Sequence, residues 1–239
     1  MPNIEMLVII MYENLFDCNR QYEMRSFFLE HFSRYGERKV FNKNEEIKIE
    51  YGKSIAVVTK GKILKTIYNK EGSQKSLYFL IPGEILGDEE YFEGREELFL
   101  AIAKEVSEIS ILNQKAVENL LDSNPQIYRF FIHSIMRKYR IALMQMANMY
   151  FSSSTQKVAD ILLRLYAQLK TPDNFTNIIS LPFTHQELAD FVGCSRITVT
   201  KSLNELKAQN IINMCNKKII IKDMEKLKVY AADISKSGR

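Results

Sequence analysis

The stretch "THQELADFVGCSRITVTKSLNELKAQNII", residues 184 to 212, constrains the fold more than any other part of the chain. Thr184 followed three residues later by Glu187 is a capping-box signature, in which two side chains satisfy backbone N–H groups that a helix start leaves open. Leu188, Phe191 and Val192 then supply an inward face. Gly193 is able to take the left-handed conformation that ends a helix. Ser195 is suited to cap the next helix, expected to run to about Gln209. Two short helices across a glycine-containing turn make a helix-turn-helix.

The second helix sorts by face. At about 100° per residue, Val199, Leu203 and Leu206 form a core stripe. Ile197, Lys201 and Asn204 lie opposite, with Arg196 and Thr200 flanking near the N-terminus. Arginine can donate two bonds to a guanine edge in the major groove, and lysine can reach guanine or phosphate. Ser195, Thr198, His185 and Gln186 are polar groups near two helix N-termini, where phosphate is electrostatically favoured. An ordinary solvated helix carries the same residue types, so charge distribution matters. Residues 151–239 hold 13 Lys/Arg against 8 Asp/Glu, a net +5, whereas residues 1–150 hold 20 against 21. The basic excess sits in the last third, as expected of a part that meets a polyanion.

The front of the chain has another texture. Residues 22–35 show helical spacing, and from Gly36 to about Leu112 short β runs alternate with turns. The segments "EEIKIEYG", "SIAVVTKGKILKTIYN", "SLYFLIPGE" and "ELFLAIAKEVSEISIL" predict an antiparallel sandwich or barrel. A short helix, "NQKAVENLLDSN", follows, and Pro125 opens a long helix to about Tyr150. Within it Tyr128, Ile132, Ile135, Tyr139, Ala142, Met146 and Met149 repeat at heptad spacing, the pattern by which one helix buries a stripe against another. The bland alternative is an amphipathic helix lying on its own barrel. "SSS" at 152–154 predicts a hinge or cap. A helix, a loop at 170–177, a short strand, the helix-turn-helix, a hairpin around Cys215–Lys218 and a final short helix complete the expected order. The expected fold is therefore α+β: residues 1–112 as N-terminal helices and an antiparallel β-barrel of jelly-roll type, 113–151 as a short helix and a long dimerisation helix, 152–239 as a winged helix-turn-helix.

Several chemistries find no support. Cys18, Cys194 and Cys215, with His31, His133 and His185, fit no zinc, disulfide, haem or iron–sulfur spacing, so no metal is expected. No nucleophile, base and orienting group cluster, so an enzyme is not expected. No apolar run reaches the length of a membrane span. "MLVIIM" lacks the basic flank and cleavage site of a signal peptide, which makes the cytoplasm the expected compartment. A ligand-binding sensor whose C-terminal module docks protein remains the alternative to a DNA-binding regulator.

The segment "HQELADFVGCSRITVTKSLNELKAQNII", and above all "GCSR–TV" with its downstream leucines, resembles the DNA-binding element of the Crp/Fnr family of bacterial transcription regulators. "LIPGEILGDEEYF" is similar to the glycine- and glutamate-containing turn of that family's effector barrel, and the similarity covers about residues 25–225. The resemblance implies a homodimer joined through the long helix on a near-palindromic operator, with RNA polymerase as a further partner and no membrane. It implies that Arg196 holds a base-reading arginine position and Lys201 a second one usually held by arginine. Ile197 stands between them, where glutamate often accepts from cytosine. Isoleucine accepts no hydrogen bond and could only touch a thymine methyl or pack against sugar. In members that bind cyclic AMP, the resemblance places a Gly-Glu pair in the barrel turn, matched by Gly83 and Glu84, and an Arg-Ser/Thr pair that holds the phosphate. Here that pair falls at Glu97 and Leu98, with Arg95 two residues away. A carboxylate at a phosphate site repels, so the expectation is an effector other than cyclic AMP, acting through the barrel and the dimer helix. Gly83 and Glu84 are then expected to be turn formers, and Cys194 a small apolar residue.

Overall fold

The computed structural model describes residues 18–94, 99–169, 179–216 and 218–232. They fall into two compact units that divide between Ala142 and Leu143.

The first unit opens with helix α1 (Cys18–Glu30) and a single 3-10 turn (Phe32–Tyr35). Strands β1 (Glu37–Phe41), β2 (Ser54–Lys60), β3 (Ile63–Tyr68), β4 (Gln74–Leu80), β5 (Ile85–Leu86), β6 (Leu100–Ala103) and β7 (Ser107–Asn113) follow. They pair antiparallel in two sheets, one of order β1-β7-β2-β5 and one of order β4-β3-β6. The expected antiparallel β architecture is present, as two sheets rather than one closed ring among the described residues. The segment "EEIKIEYG" departs from its expectation. It contributes an isolated bridge, Glu46 to Ile102, and the Tyr51 N–H then turns back onto the Ile49 carbonyl.

Strand β2 shows why the unit holds together. Successive side chains of a strand point to opposite faces, and both faces of β2 are covered. Ile55 and Val57 pack with Met24, Phe28, Phe32, Val117, Leu121 and Phe131. Ala56 and Val58 pack on the other side with Ile63, Tyr78, Leu80, Ala103 and Ile141. A strand buried on both sides reads as a continuous apolar run, as "SIAVV" does. Helix α2 (Asp88–Glu93) interrupts the strands after β5. Helix α3 (Gln114–Ser123) starts at Asn113, whose side-chain oxygen accepts from Ala116 N at 2.9 Å. Helix α4 (Ile127–Phe151) is the long one.

In the second unit, helix α5 (Ser154–Leu169) begins after reciprocal bonds between Ser153 and Gln156: the Gln156 N–H donates to Ser153 Oγ and the Ser153 N–H donates to Gln156 Oε1. The expected cap at "SSS" is thus formed. Strand β8 (Ile179–Leu181), helix α6 (His185–Val192), helix α7 (Arg196–Ala208), strands β9 (Ile212–Cys215) and β10 (Lys218–Ile221) and helix α8 (Met224–Ala232) complete it. The strands form an antiparallel sheet of order β8-β10-β9. The loop expected at 170–177 lies outside the described residues.

Candidate nucleic-acid interface

Helices α6 and α7 are set by the local chemistry that their sequence announces. The Glu187 N–H donates to Thr184 Oγ1 at 3.1 Å, and the Thr184 N–H donates to Glu187 Oε2 at 3.0 Å. Gly193, at φ 78°, ends α6, and its N–H closes onto the Ala189 carbonyl. The Ser195 hydroxyl accepts from Thr198 N at 3.1 Å and starts α7. Thr184→Ala is expected to destabilise this unit by about 1 kcal/mol, read as a lowered thermal midpoint with the α6 amides exchanging faster.

Leu188, Phe191 and Val192 of α6 and Val199, Leu203 and Leu206 of α7 are buried together in the unit's core. Opposite that core, Arg196, Lys201 and Asn204 are exposed, and Ile197 is 70% exposed. Arg196 and Lys201 form no ion pair among the described residues.

The flanking polar residues divide. Ser195 and Gln186 are exposed, with Gln186 Nε2 donating to Asp190 Oδ1 at 2.8 Å. Thr198 is half-buried, its hydroxyl 2.9 Å from that of Ser195. Thr200 is turned toward α6: its hydroxyl donates to the Arg196 carbonyl at 2.9 Å and lies 2.8 Å from His185 Nδ1. Thr200 and His185 tie the helix starts together.

A brace behind α7 ties it to α5 and α8. Glu205 takes a hydrogen bond from the Tyr230 hydroxyl of α8 and one at 2.7 Å from the Thr155 hydroxyl of α5, which also lies 3.1 Å from Ser202 Oγ. The Tyr230 bond first, then the Thr155 bond, hold the Glu205 carboxyl below the usual carboxylate range. Thr155, Glu205 and Tyr230 are too far apart in sequence for any local pattern to reveal this brace.

Helix α4 carries apolar side chains on both faces, with Ile127, Phe131, Ile141 and Met144 buried. Ile132, Tyr139, Met146 and Met149, members of the heptad, are 58%, 55%, 66% and 66% exposed. Tyr128 and Ala142 are exposed too, and Ile135 is half-buried. The opposite face carries Ser134, Arg137, Lys138, Gln145 and Asn148, all buried. The apolar heptad therefore does not lie on its own barrel.

Two known families match the chain: residues 39–124 match the cyclic nucleotide-binding domain and residues 156–230 the Crp-like helix-turn-helix domain. The cAMP-activated global transcriptional regulator CRP of Salmonella typhimurium is 29% identical over 175 residues, covering 72% of this chain and 82% of that protein. The chain belongs to the Crp/Fnr family of transcription regulators. Among solved structures, the Crp/Fnr-family regulator TTHA1359 of Thermus thermophilus aligns with a TM-score of 0.66 at 23% identity, over 82% of this chain and 98% of that one. The c-di-GMP-responsive global regulator CLP of Xanthomonas campestris aligns at 0.67 and 16% identity, over 82% and 98%.

Within this Crp/Fnr chain the turn at Gly83 and Glu84 does more than reverse direction. Gly83 adopts φ 84°, and a side chain there would meet the Arg25 backbone: an added Cβ lies 2.4 Å from its carbonyl oxygen. Glu84, expected to be only a turn former, is buried. Its Oε1 accepts from Arg25 Nη2 at 2.6 Å, Gln21 Nε2 at 2.9 Å and Arg137 Nη1 at 3.0 Å. Burial opposes its charge, but the Arg137 and Arg25 guanidiniums outweigh burial and hold the carboxyl below its ordinary value. Nearby, buried Asp88 accepts from Lys138 Nζ and, at 3.1 Å, from the Ser134 hydroxyl. Burial disfavours the Lys138 ammonium too, yet Asp88, with Tyr78 and Glu89, raises its pKa overall. Glu97, Leu98 and Arg95 lie outside the described residues. Among the described residues no three His, Cys, Asp or Glu group as metal ligands, and no helix is long and apolar enough to cross a membrane. Cys194 is half-buried in the turn before α7, and Cys215 is exposed at the end of β9.

Proposed function

We propose that this Crp/Fnr-family regulator acts as a homodimer, joined along the outer face of α4, on a near-palindromic operator whose half-sites lie about one helical turn apart. The observation that carries the reading is the exposed Arg196, Ile197 and Lys201 row on a capped helix whose opposite face is core. Arg196 and Lys201 reach base edges, Ile197 packs on a thymine methyl, and Asn204 flanks them. Ser195, Thr198 and Gln186 sit at helix starts, where backbone N–H groups favour phosphate, and the Thr200–His185 contact holds those starts together. Lys218 and Lys222 of the hairpin add positive charge on the same unit.

The exposed stripe of α4 supports the dimer: Ile132, Tyr139, Met146 and Met149 stand in water, and a helix with such a heptad stripe lowers its free energy by covering it with a second copy. The working division is a sensor at 1–112, a dimer segment at 113–151 and a DNA-binding part at 152–239. Control falls to an effector other than cyclic AMP, because Glu97 stands where the resemblance puts the phosphate-holding arginine and a carboxylate there repels phosphate. RNA polymerase is the further partner.

Selection of bound sequences from random duplex DNA, followed by titrations at several salt concentrations, tests the reading. The expected result is a two-fold-related consensus, with log Kd rising by about 0.9 per phosphate contact for each unit of log salt. Retention of affinity at high salt, or no enriched sequence, would instead favour a C-terminal module that docks protein.

A further inference from the structure

The buried charges beneath α4 are arranged as a pair of arms. Arg137 and Lys138 are neighbours in sequence, so their side chains leave the helix about 100° apart. Arg137 reaches Glu84, and Lys138 reaches Asp88. Both acids lie on one short piece of chain that leaves β4 and enters α2. All four side chains are buried, at 8% exposure or less.

A buried ion pair contributes little net stability, because each charge loses its water. What it does impose is geometry. Two adjacent cations held by two separate acids leave one rotational setting of α4, since a turn of the helix about its axis would separate both pairs at once. That setting is the one that sends Ile132 and Tyr139 outward. Further bonds enforce it: Ser134 donates to Asp88, and His133 Nε2 lies 3.2 Å from Gln21 Oε1, whose own Nε2 donates to Glu84.

Each of the four carboxylate oxygens already takes a hydrogen bond from the chain. Glu84 Oε1 is held by the two arginines and Gln21, and its Oε2 accepts from Ile81 N at 3.3 Å. Asp88 Oδ1 accepts from Lys138 and Oδ2 from Ser134. The seat of α4 is complete with groups from this protein alone.

We infer that Glu84–Arg137 and Asp88–Lys138 form an internal clamp that sets the rotation of α4, so that dimerisation and operator binding need no bound ligand, and the effector of the reading above acts on a dimer already formed. This rests on the dimer reading above, and Arg137 and Lys138 act as positioning residues.

The test uses full-length protein unfolded in guanidinium, desalted to remove any small molecule, and refolded. Wild type, Lys138→Met, Asp88→Asn, the double variant and the conservative Lys138→Arg are compared by sedimentation velocity and operator titration. Circular dichroism sets the temperature at which each is folded. The stripped wild type is expected to match unstripped protein in both assays. Lys138→Met and Asp88→Asn, though folded, are expected to lose operator affinity by about tenfold or more, equivalent to about 1.4 kcal/mol. The double variant should recover part of that loss, because it leaves no lone buried charge, and Lys138→Arg should recover most of it. Folded single variants that dimerise and bind like wild type would overturn the clamp. So would a stripped wild type that is folded but monomeric while the unstripped protein is dimeric, because a ligand would then be required. A monomer before and after stripping would overturn the dimer reading itself and the clamp with it.

Discussion

Phe131→Ala is expected to lower the stability of the unit formed by residues 17–142 by about 3–5 kcal/mol, the range for deleting a large aromatic ring from a core. Phe131 sits on α4 and is buried, with ring centroids at 5.1 Å from Phe28, 5.5 Å from Phe32 and 5.2 Å from Phe92. These partners come from α1, the 3-10 turn after it and α2, so a single ring joins three elements to the long helix. Alanine would remove the lost transfer energy of the ring and leave a cavity that a sheet-backed core closes only in part, since Ile55, Val57 and Ile85 on the other side belong to strands. The transition of this unit should fall by roughly 10–20 °C, measured by scanning calorimetry. Phe131→Leu should restore more than half of the loss. An alanine variant with an unchanged midpoint would mean that this cluster does not hold α4 to the sheet.

How much of this molecule can be read in its sequence depends on how locally each feature is determined. The helix-turn-helix was legible because Thr184, Glu187, Gly193 and Ser195 each act within three or four residues of themselves. The heptad in α4 was legible for the same reason, and exposure of that stripe removes the alternative in which it packs on the barrel. "EEIKIEYG" was misleading because Ile47 and Ile49 alternate as a strand would, whereas pairing depends on a partner edge that the pattern does not contain. Helical angle sets Thr200 beside the outward row, and nearness to a helix start sets His185 among the phosphate-facing groups. The Thr200 hydroxyl instead finds both of its partners, the Arg196 carbonyl and His185 Nδ1, within the two-helix element, as a side chain at the edge of a face is free to do. The largest omission was the buried charge cluster. Glu84 and Arg137 are 53 residues apart, and Asp88 and Lys138 are 50 apart. Sequence pattern predicts solvated faces for such residues because charged side chains are rarely buried unless paired, and the pairing exists only once the fold has formed. The inner face of α4 therefore combines Arg137 and Lys138 with the buried Phe131 and Ile141, while Ile132 and Tyr139 remain outside.

Arg196→Ala is expected to reduce discrimination between the preferred operator and unrelated DNA by about 1–3 kcal/mol, the worth of one good bidentate contact to guanine. Binding to unrelated DNA should change far less, because phosphate contacts dominate it. Ile197 makes the sharper case. It is 70% exposed on the row between Arg196 and Lys201, and folding gains little from placing its side chain there. Ile197→Ala should therefore leave thermal stability unchanged and lose little operator affinity, with some loss of selectivity. Ile197→Glu should do something different in kind. A carboxylate accepts from the cytosine amino group and repels phosphate, so the selected half-site should change at one base pair, from one offering a thymine methyl toward one offering that donor. Parallel selections with wild type and Ile197→Glu, scored position by position, decide the matter. An identical consensus from both proteins would remove Ile197 from the reading face. A change confined to one position per half-site would place it there, and would show that an apolar side chain can specify a base by contact and by the hydrogen bond it withholds.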